Sequence, residues 1–326
     1  MRLFPLLVLY AACVLTSACG KTASDADATG GASGGEGGAQ ARLTAIACST
    51  EQACVLDENG ALTCWGDLRN GSPPDANYVS VVGGNTVSAL TKSGEVVTWG
   101  GSTIGCPKGK DCLANLPGPH ATISYGVGLV RYYLDRRGRV TSSRDNWGDS
   151  VSPAQRVYPD SRPKEEFSSL TFSLPFVCGL RSDGSFLCWS ESGLGTPPVD
   201  DGQHTYSELD YKSSDLCGIT KEDGSLICFG STYDGPTGKG YRAVVHYFPP
   251  SDARRCGLTA AGDLDCSTSP HEQMVPAGAS LDKVCSGNNF VCGIRFDGKV
   301  SCWGRENGNF TDDPLILRIP ESIAAK

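Results

Sequence analysis

Methionine is almost absent, 2 residues in 326, and positive charge is in deficit, with 28 Lys and Arg against 36 Asp and Glu and a formal net charge of -8. This acidity argues against a polyanion partner, because phosphate binding needs a basic face, and no nucleic-acid partner is expected. The one long apolar run, at the N-terminus, is too short for a membrane-spanning helix. Catalytic signatures are missing as well: there is no HExxH, no phosphate-binding loop and no complete dinucleotide fingerprint. A single G-x-S-x-G, at residues 31–35, lies among Gly, Ala and Ser rather than on a strand-to-helix turn. Asp25 and Asp27 lack the other ligands of a calcium loop, and His120, His204, His246 and His271 are scattered. Neither a cofactor nor a metal is expected.

What the chain has in quantity is Gly (41), Pro (19) and Cys (16), a composition of short strands and turns. Its first residues, MRLFPLLVLYAACVLTSAC, combine an early Arg2, an apolar core and small residues before a cysteine, the pattern of a secretion signal. LTSAC is similar to the lipobox of bacterial lipoproteins, which implies that Cys19 is the lipid attachment site and the first mature residue. Thr16 stands where the lipobox usually has Leu. Losing Cys13 with the signal and Cys19 to lipid leaves 16 - 2 = 14 cysteines, an even number that can pair completely in an oxidising compartment. The following residues, GKTASDADATGGASGGEGGAQAR, cannot bury a core and are expected to form a tether with a reach of roughly 25 Å. The expected organisation is therefore a signal peptide at 1–18, a lipidated tether at 19–42 and a folded domain at 43–326.

Within that domain one pattern recurs seven times. The copies are CVLDENGALTCWG from Cys54, SALTKSGEVVTWG from Ser88, YYLDRRGRVTSSR from Tyr132 and CGLRSDGSFLCWS from Cys178. CGITKEDGSLICFG from Cys217, CGLTAAGDLDCST from Cys256 and CGIRFDGKVSCWG from Cys292 complete the set. If Asp57 and Ala61 close a ladder around Glu58, Asn59 and Gly60, glycine takes the left-handed position of the turn. Leu56 then faces Leu62, and Cys54 faces Cys64 as a non-hydrogen-bonded pair with Cα atoms about 4.5 Å apart, within disulfide range. In the fifth copy the cysteines are one residue further apart, and so is the turn Lys221-Glu222-Asp223-Gly224, which restores the same facing pair. Zinc sites favour shorter spacings, often with histidine, so bridges are the expected chemistry.

Five hairpin bridges follow: Cys54 to Cys64, Cys178 to Cys188, Cys217 to Cys228, Cys256 to Cys266 and Cys292 to Cys302. Cys106 and Cys112 would close a small loop. Cys48 and Cys285 occupy nearly equivalent places in the first and seventh copies, and in a ring of seven units they would join its ends. Loop entropy assigns roughly 2–3 kcal/mol to each hairpin bridge and about 5 kcal/mol to so long a closure. Asp183, Asp223 and Asp297 precede turn glycines, where an Asp side chain caps nearby amides, and are expected to be structural.

Cys54, Leu56, Gly60, Leu62, Cys64, Trp65 and Gly66, with their counterparts in the seventh copy and partial matches between, resemble the repeat of the regulator of chromosome condensation family. The resemblance covers about residues 43–308 and implies a seven-bladed β-propeller. Packing argues for the same closure, because a repeat this small cannot cover both faces of its sheet alone. No residue matches the catalytic wedge of the family's nuclear founder, and the family resembles the source of secreted bacterial propellers that inhibit β-lactamases through loops on one face. Binding is what this implies. The C-terminal tail, residues 310–326 with 315–319 as its apolar stretch, is expected to add a strand or buttress to the first blade.

The third copy breaks the pattern. It replaces the cysteines with Tyr132 and Ser142 and carries Arg131, Tyr133, Arg136, Arg137 and Arg139, with Trp147 close behind. Tyr, Trp and Arg anchor interfaces more often than other residues, so Arg131, Tyr132, Tyr133, Arg136, Arg137 and Trp147 are the candidate binding residues; Tyr132 and Trp147 as core fillers are the alternative. The reading is an all-β, lipid-anchored monomer of the bacterial envelope, at the outer membrane or cell surface, without catalysis of its own, whose loops bind a protein or glycan. An envelope enzyme with a site at the propeller funnel, or a purely structural protein, are the competing readings.

Overall fold

The computed structural model describes residues 41–68, 71–84, 86–100, 118, 120, 122–124, 132–142, 163–173, 176–190, 195–212, 215–229, 236–247, 254–266, 275, 278–287, 290–304 and 317–324. Each repeat forms three antiparallel strands in chain order. In the first three blades these are β1 Leu43–Cys48, β2 Gln52–Asp57 and β3 Leu62–Gly66; β4 Tyr78–Val82, β5 Val87–Thr91 and β6 Val96–Trp99; and β7 Thr122–Ser124, β8 Tyr132–Leu134 and β9 Val140–Ser142. The fourth and fifth contain β10 Ser169–Ser173, β11 Phe176–Leu180 and β12 Phe186–Ser190, then β13 Tyr206–Lys212, β14 Asp215–Thr220 and β15 Leu226–Phe229. The last two contain β16 Tyr241–Tyr247, β17 Arg254–Thr259 and β18 Leu264–Cys266, then β19 Leu281–Ser286, β20 Phe290–Arg295 and β21 Val300–Gly304. Seven three-stranded sheets result, each built from consecutive strands.

The first strands meet in a cycle. β1 contacts β4, β4 contacts β7, and the sequence continues through β10, β13, β16 and β19 until β19 returns to β1. The described residues of 41–326 therefore form a closed seven-bladed β-propeller. Its core is divided accordingly into seven apolar clusters, one at each junction between neighbouring blades.

Turn length sets the register. Asp57 N–H donates to the Ala61 carbonyl at 3.0 Å, and Gly60 sits at φ 87°, so Leu56 pairs with Leu62 and Cys54 with Cys64. In the longer turn of the fifth blade Thr220 N–H reaches the Ser225 carbonyl at 2.9 Å, and Cys217 again pairs with Cys228. The turn acids cap amides: Asp57 Oδ1 accepts from Asn59 and Ala61 at 2.9 Å, Asp183 from Ser185 at 2.9 Å, and Asp297 from Lys299 at 3.1 Å.

A bulge follows the first residue of β1, β4, β13, β16 and β19. A bulge leaves ladder groups to be satisfied locally. Side-chain hydroxyls supply that bond where the sequence places one: Thr44 donates to Leu56 O at 3.1 Å, Ser168 to Leu180 O at 2.9 Å and Ser207 to Ile219 O at 3.1 Å. Val79, in the same place on β4, has no donor to offer.

Successive blades are joined through their turn glycines. Gly60, Gly94, Gly138, Gly184, Gly224 and Gly262 each accept, through the carbonyl, an N–H of the next blade's opening residue: Tyr78, His120, Phe167, Tyr206, Tyr241 and Leu281, at 2.8 to 3.0 Å. The approach is close enough that a Cβ on Gly60 would stand 2.7 Å from Tyr78 O, and one on Gly138 2.5 Å from Phe167 O. Glycine is therefore required twice over, for its positive φ and for contact with the next blade.

The C-terminal segment departs from expectation in its pairing alone. Its bridge is made by Ala324, in parallel with Val300 on the outer edge of the seventh blade, and Val300 N–H donates to Ile323 O at 2.8 Å. Ile323 is buried in the cluster shared by the seventh and first blades, and Leu317 and Ile319 pack against it, so the segment pairs with the seventh blade and also buttresses the first.

Candidate functional site

One register position explains most of the repeat's chemistry. It holds Cys54 and Cys64 in the first blade, Ser88 and Thr98 in the second, Tyr132 and Ser142 in the third, and Cys178 with Cys188, Cys217 with Cys228, Cys256 with Cys266 and Cys292 with Cys302 in the rest. The five cysteine pairs are bridged, with Cα atoms 4.0 to 4.1 Å apart. Cys48 on β1 and Cys285 on β19 form a further bridge across 237 residues, with a Cα separation of 5.4 Å. Cys19, Cys106 and Cys112 lie outside the described residues.

Side chains alternate along a strand, so the residue after the second cysteine points to the opposite face. Each bridge thus packs forward while the aromatic beside it packs backward. Cys54 and Cys64 share a cluster with Trp99 of the next blade, Cys178 and Cys188 with Phe229, Cys256 and Cys266 with Trp303, and Cys292 and Cys302 with Trp65. Sulfur beside an aromatic ring is a favourable contact as well as a dense one. This purpose of the Cys-Trp pair was missed in the sequence, although the alternation rule was sufficient to find it.

The third blade's aromatic residues belong to this packing. Tyr132 and Tyr133 are 0% and 1% exposed, which removes both from the candidate binding surface. Tyr132 stands in the cysteine position and packs with Phe172, at a ring distance of 5.5 Å, and with Trp189 of the fourth blade. Tyr133 points the other way, among Leu90 and Val96 of the second blade. Arg136 and Arg137, in contrast, are exposed at the turn tip. Arg139 is held by Asp135, with Nη2 to Oδ2 at 2.6 Å. Arg131 and Trp147 lie outside the described residues.

The hairpin-turn end carries other exposed groups. Val79 (55% exposed) adjoins Tyr78, the residue latched to Gly60. Phe296 (55%) is a turn residue, with the Arg242 guanidinium 5.3 Å from its ring centre. Val199 (73%) precedes Asp200, which accepts from Phe186 N–H beside the fourth turn. Three of the four exposed large apolar side chains among the described residues therefore lie at this end, interspersed with Arg136, Arg137 and Lys92.

A different group of residues occupies the inner and middle strands of the fifth to seventh blades. Asp210 Oδ2 lies 2.6 Å from His246 Nδ1, and this histidine is 1% exposed. Buried Arg255 pairs with Asp215, and Ser286 Oγ donates to the His246 carbonyl. Glu208 accepts from Val244 N–H at 3.4 Å. Burial, then the Asp210 charge, pushes its carboxyl up to about 7, so it carries a proton into a pH range where most carboxyls have lost theirs. The partners come from successive blades, and each contact ties two blades together. Among the described residues no group of three or more His, Cys, Asp or Glu is placed to hold a metal, and no helix is long and apolar enough to cross a membrane.

The closed ring of three-stranded blades defines a β-propeller, a fold compatible with protein binding. More specifically, the chain carries a Regulator of chromosome condensation (RCC1) repeat, matched over residues 282–310, which run from β19 through β21 and beyond. Its fold is similar to that of the CRINKLY WD40 ectodomain from the Arabidopsis thaliana receptor kinase ACR4, with TM-score 0.61 and 20% identity over 84% of this chain and 99% of that one. The entire ectodomain of the Physcomitrella patens receptor kinase CR4 is similar too, with TM-score 0.59 and 19% identity over 81% of this chain and 74% of that one.

Proposed function

We propose that the protein is a non-catalytic binding module of the bacterial envelope, made with a signal peptide at 1–18, anchored by lipid on Cys19 and held on the tether 19–42. Its binding surface is the hairpin-turn end of the propeller, and its partner is a protein. The observation that carries this reading is the exposure of Arg136 and Arg137 at the third turn, on the same end as Val79, Val199 and Phe296. Exposed arginine and aromatic side chains on a rigid scaffold are the usual anchors of an interface. Six bridges among the described residues fit an oxidising compartment.

Affinity capture from solubilised envelope and spent medium tests the reading, with oxidised full-length chain as bait beside its Arg136→Glu/Arg137→Glu variant. A protein retained by the first and lost from the second supports it. Retention by both moves the surface elsewhere, and retention of nothing, with bridges intact, removes the binding reading.

Glu208, Asp210 and His246 favour a second reading, an envelope hydrolase or lyase, because a carboxyl that titrates at about 7 suits proton transfer near neutral pH. Turnover in a screen of glycan and ester substrates, abolished by Glu208→Gln, would establish it.

A further inference from the structure

We propose that the seam between the seventh and first blades is a thiol-released closure, in which a dithiol reductant cleaves Cys48–Cys285 and frees the seam while the bridged hairpins hold their blades together. Six junctions use the peptide latch from a turn glycine to the next blade's opening residue. At the seam the equivalent residues are Gly298 and Leu43. Leu43 pairs with Asp57 at the start of the turn, as Tyr78 does with Thr91, Tyr206 with Thr220 and Leu281 with Arg295. No such bond joins Leu43 to Gly298 among the described residues, and a Cβ placed on Gly298 would meet nothing within 4 Å. The first and seventh blades are separated in the chain by the five others, so no short connector brings one onto the other.

Two devices close the seam instead. Toward the far end of the strands Cys48 is bridged to Cys285, and a Cβ on neighbouring Gly287 would lie 2.6 Å from Ser49 O, so the backbones are in close contact there. The C-terminal strap supplies the other device, with Ile323 buried among Leu43, Val55 and Trp65 of the first blade and Phe290 and Ile294 of the seventh.

The two classes of bridge respond differently to reduction. Opening a hairpin bridge leaves its sulfurs opposed across an intact ladder, with a turn of a few residues between the strands, so reclosure is fast. Opening Cys48–Cys285 leaves thiols 237 residues apart in sequence, held near each other only while the seam stays packed. Each opening of the seam lowers their effective concentration and draws the exchange toward reduction. The step is balanced: one dithiol gives two electrons and two protons, leaving Cys48 and Cys285 as thiols and the reductant as a disulfide.

The test reduces the full chain stepwise in mixtures of reduced and oxidised dithiothreitol, scoring each cysteine by alkylation and mass spectrometry and each strand by hydrogen exchange. Cys48 and Cys285 are expected to be alkylated at a lower reductant ratio than the five hairpin pairs. Amides of β1 and β19 to β21 should then exchange about tenfold faster or more while β13 to β15 keep their protection. Hairpin pairs that reduce first, or seam amides that do not respond once Cys48 and Cys285 are alkylated, overturn the proposal. Ile323→Asp keeps every cysteine and should lower the ratio required; an unchanged ratio refutes the part assigned to the strap. A Cys48→Ala/Cys285→Ala chain should show fast seam exchange without reductant, and if it does not fold, the alkylation order of the unaltered chain decides.

Discussion

In the second blade the position bridged elsewhere by cysteines carries Ser88 and Thr98, whose hydroxyls meet at 2.9 Å. In the third it carries Tyr132, opposite Ser142 and fully buried. Neither blade has sulfur to offer its forward neighbour, yet both junctions are filled. Between the second and third blades the bulk comes from Tyr133, reaching back onto Leu90 and Val96; between the third and fourth it comes from Tyr132, reaching forward to Phe172 and Trp189. Adjacent tyrosines on one strand, pointing to opposite faces, thus replace two missing bridges. What the position requires is volume in the junction, and a disulfide is one way to supply it.

The largest effect should come from removing that volume. Tyr132→Ala is expected to cost about 3–5 kcal/mol of stability, as emptied aromatic core sites do, read as a shift in urea midpoint at unchanged slope. A cost near zero would return Tyr132 to the surface.

A second contrast sets this shape-filled junction against the charged one between the fifth and sixth blades. The carboxyl of Glu208 rises from its ordinary 4.5 to about 7 on folding. Below pH 4.5 the residue is protonated in both states and costs nothing; above about 7 the native state must hold it ionised. Stability should therefore fall as pH rises through that window, by up to about 3 kcal/mol for a shift of this size. Glu208→Gln should flatten the profile of urea midpoint against pH, and a variant with the parent's slope would assign the effect to another group.

Converting the second blade to the bridged type sharpens the comparison from the other side. Ser88→Cys/Thr98→Cys places two thiols in the register that joins Cys54 to Cys64. A bridge should form in air and add roughly 2–3 kcal/mol, lost again on reduction; two free thiols by alkylation would show that the second blade's geometry differs from its neighbours'. The smallest change concerns Val79, the bulge residue without a hydroxyl. Val79→Thr should supply the bond made by Thr44 and Ser207 and raise stability by about 1 kcal/mol. A loss would mean that Val79 packs against something its exposure does not reveal.

Much of the architecture was legible beforehand because it is local. The seven copies, the left-handed turn glycine and the opposed cysteines follow from spacing across a turn of three or four residues, and the fifth blade keeps the same rule. The candidate binding residues fared differently. Arg136 and Arg137 are exposed, while Tyr132, for which core filling was the alternative reading, and Tyr133 are buried. In a strand with neighbouring blades on both faces every side chain meets protein, so alternation does not separate inside from outside. The ionisable group of Glu208, Asp210, His246 and Arg255 was invisible for a related reason: its members are separated by about one repeat and converge only when blades stand side by side.

The amino-acid sequence alone determined the repeat unit, its strand order and its register, since these depend on turns a few residues long and on the two-residue period of a strand. Only the tertiary structure decided which residues face a neighbouring blade, where ionisable groups are buried, and that the seventh junction carries a C-terminal strap in place of the peptide latch, beside the Cys48–Cys285 bridge that the spacing of the terminal copies had suggested. Those outcomes depend on contacts between segments about 40 to 240 residues apart, whose pairing is set by ring closure and which no local pattern encodes.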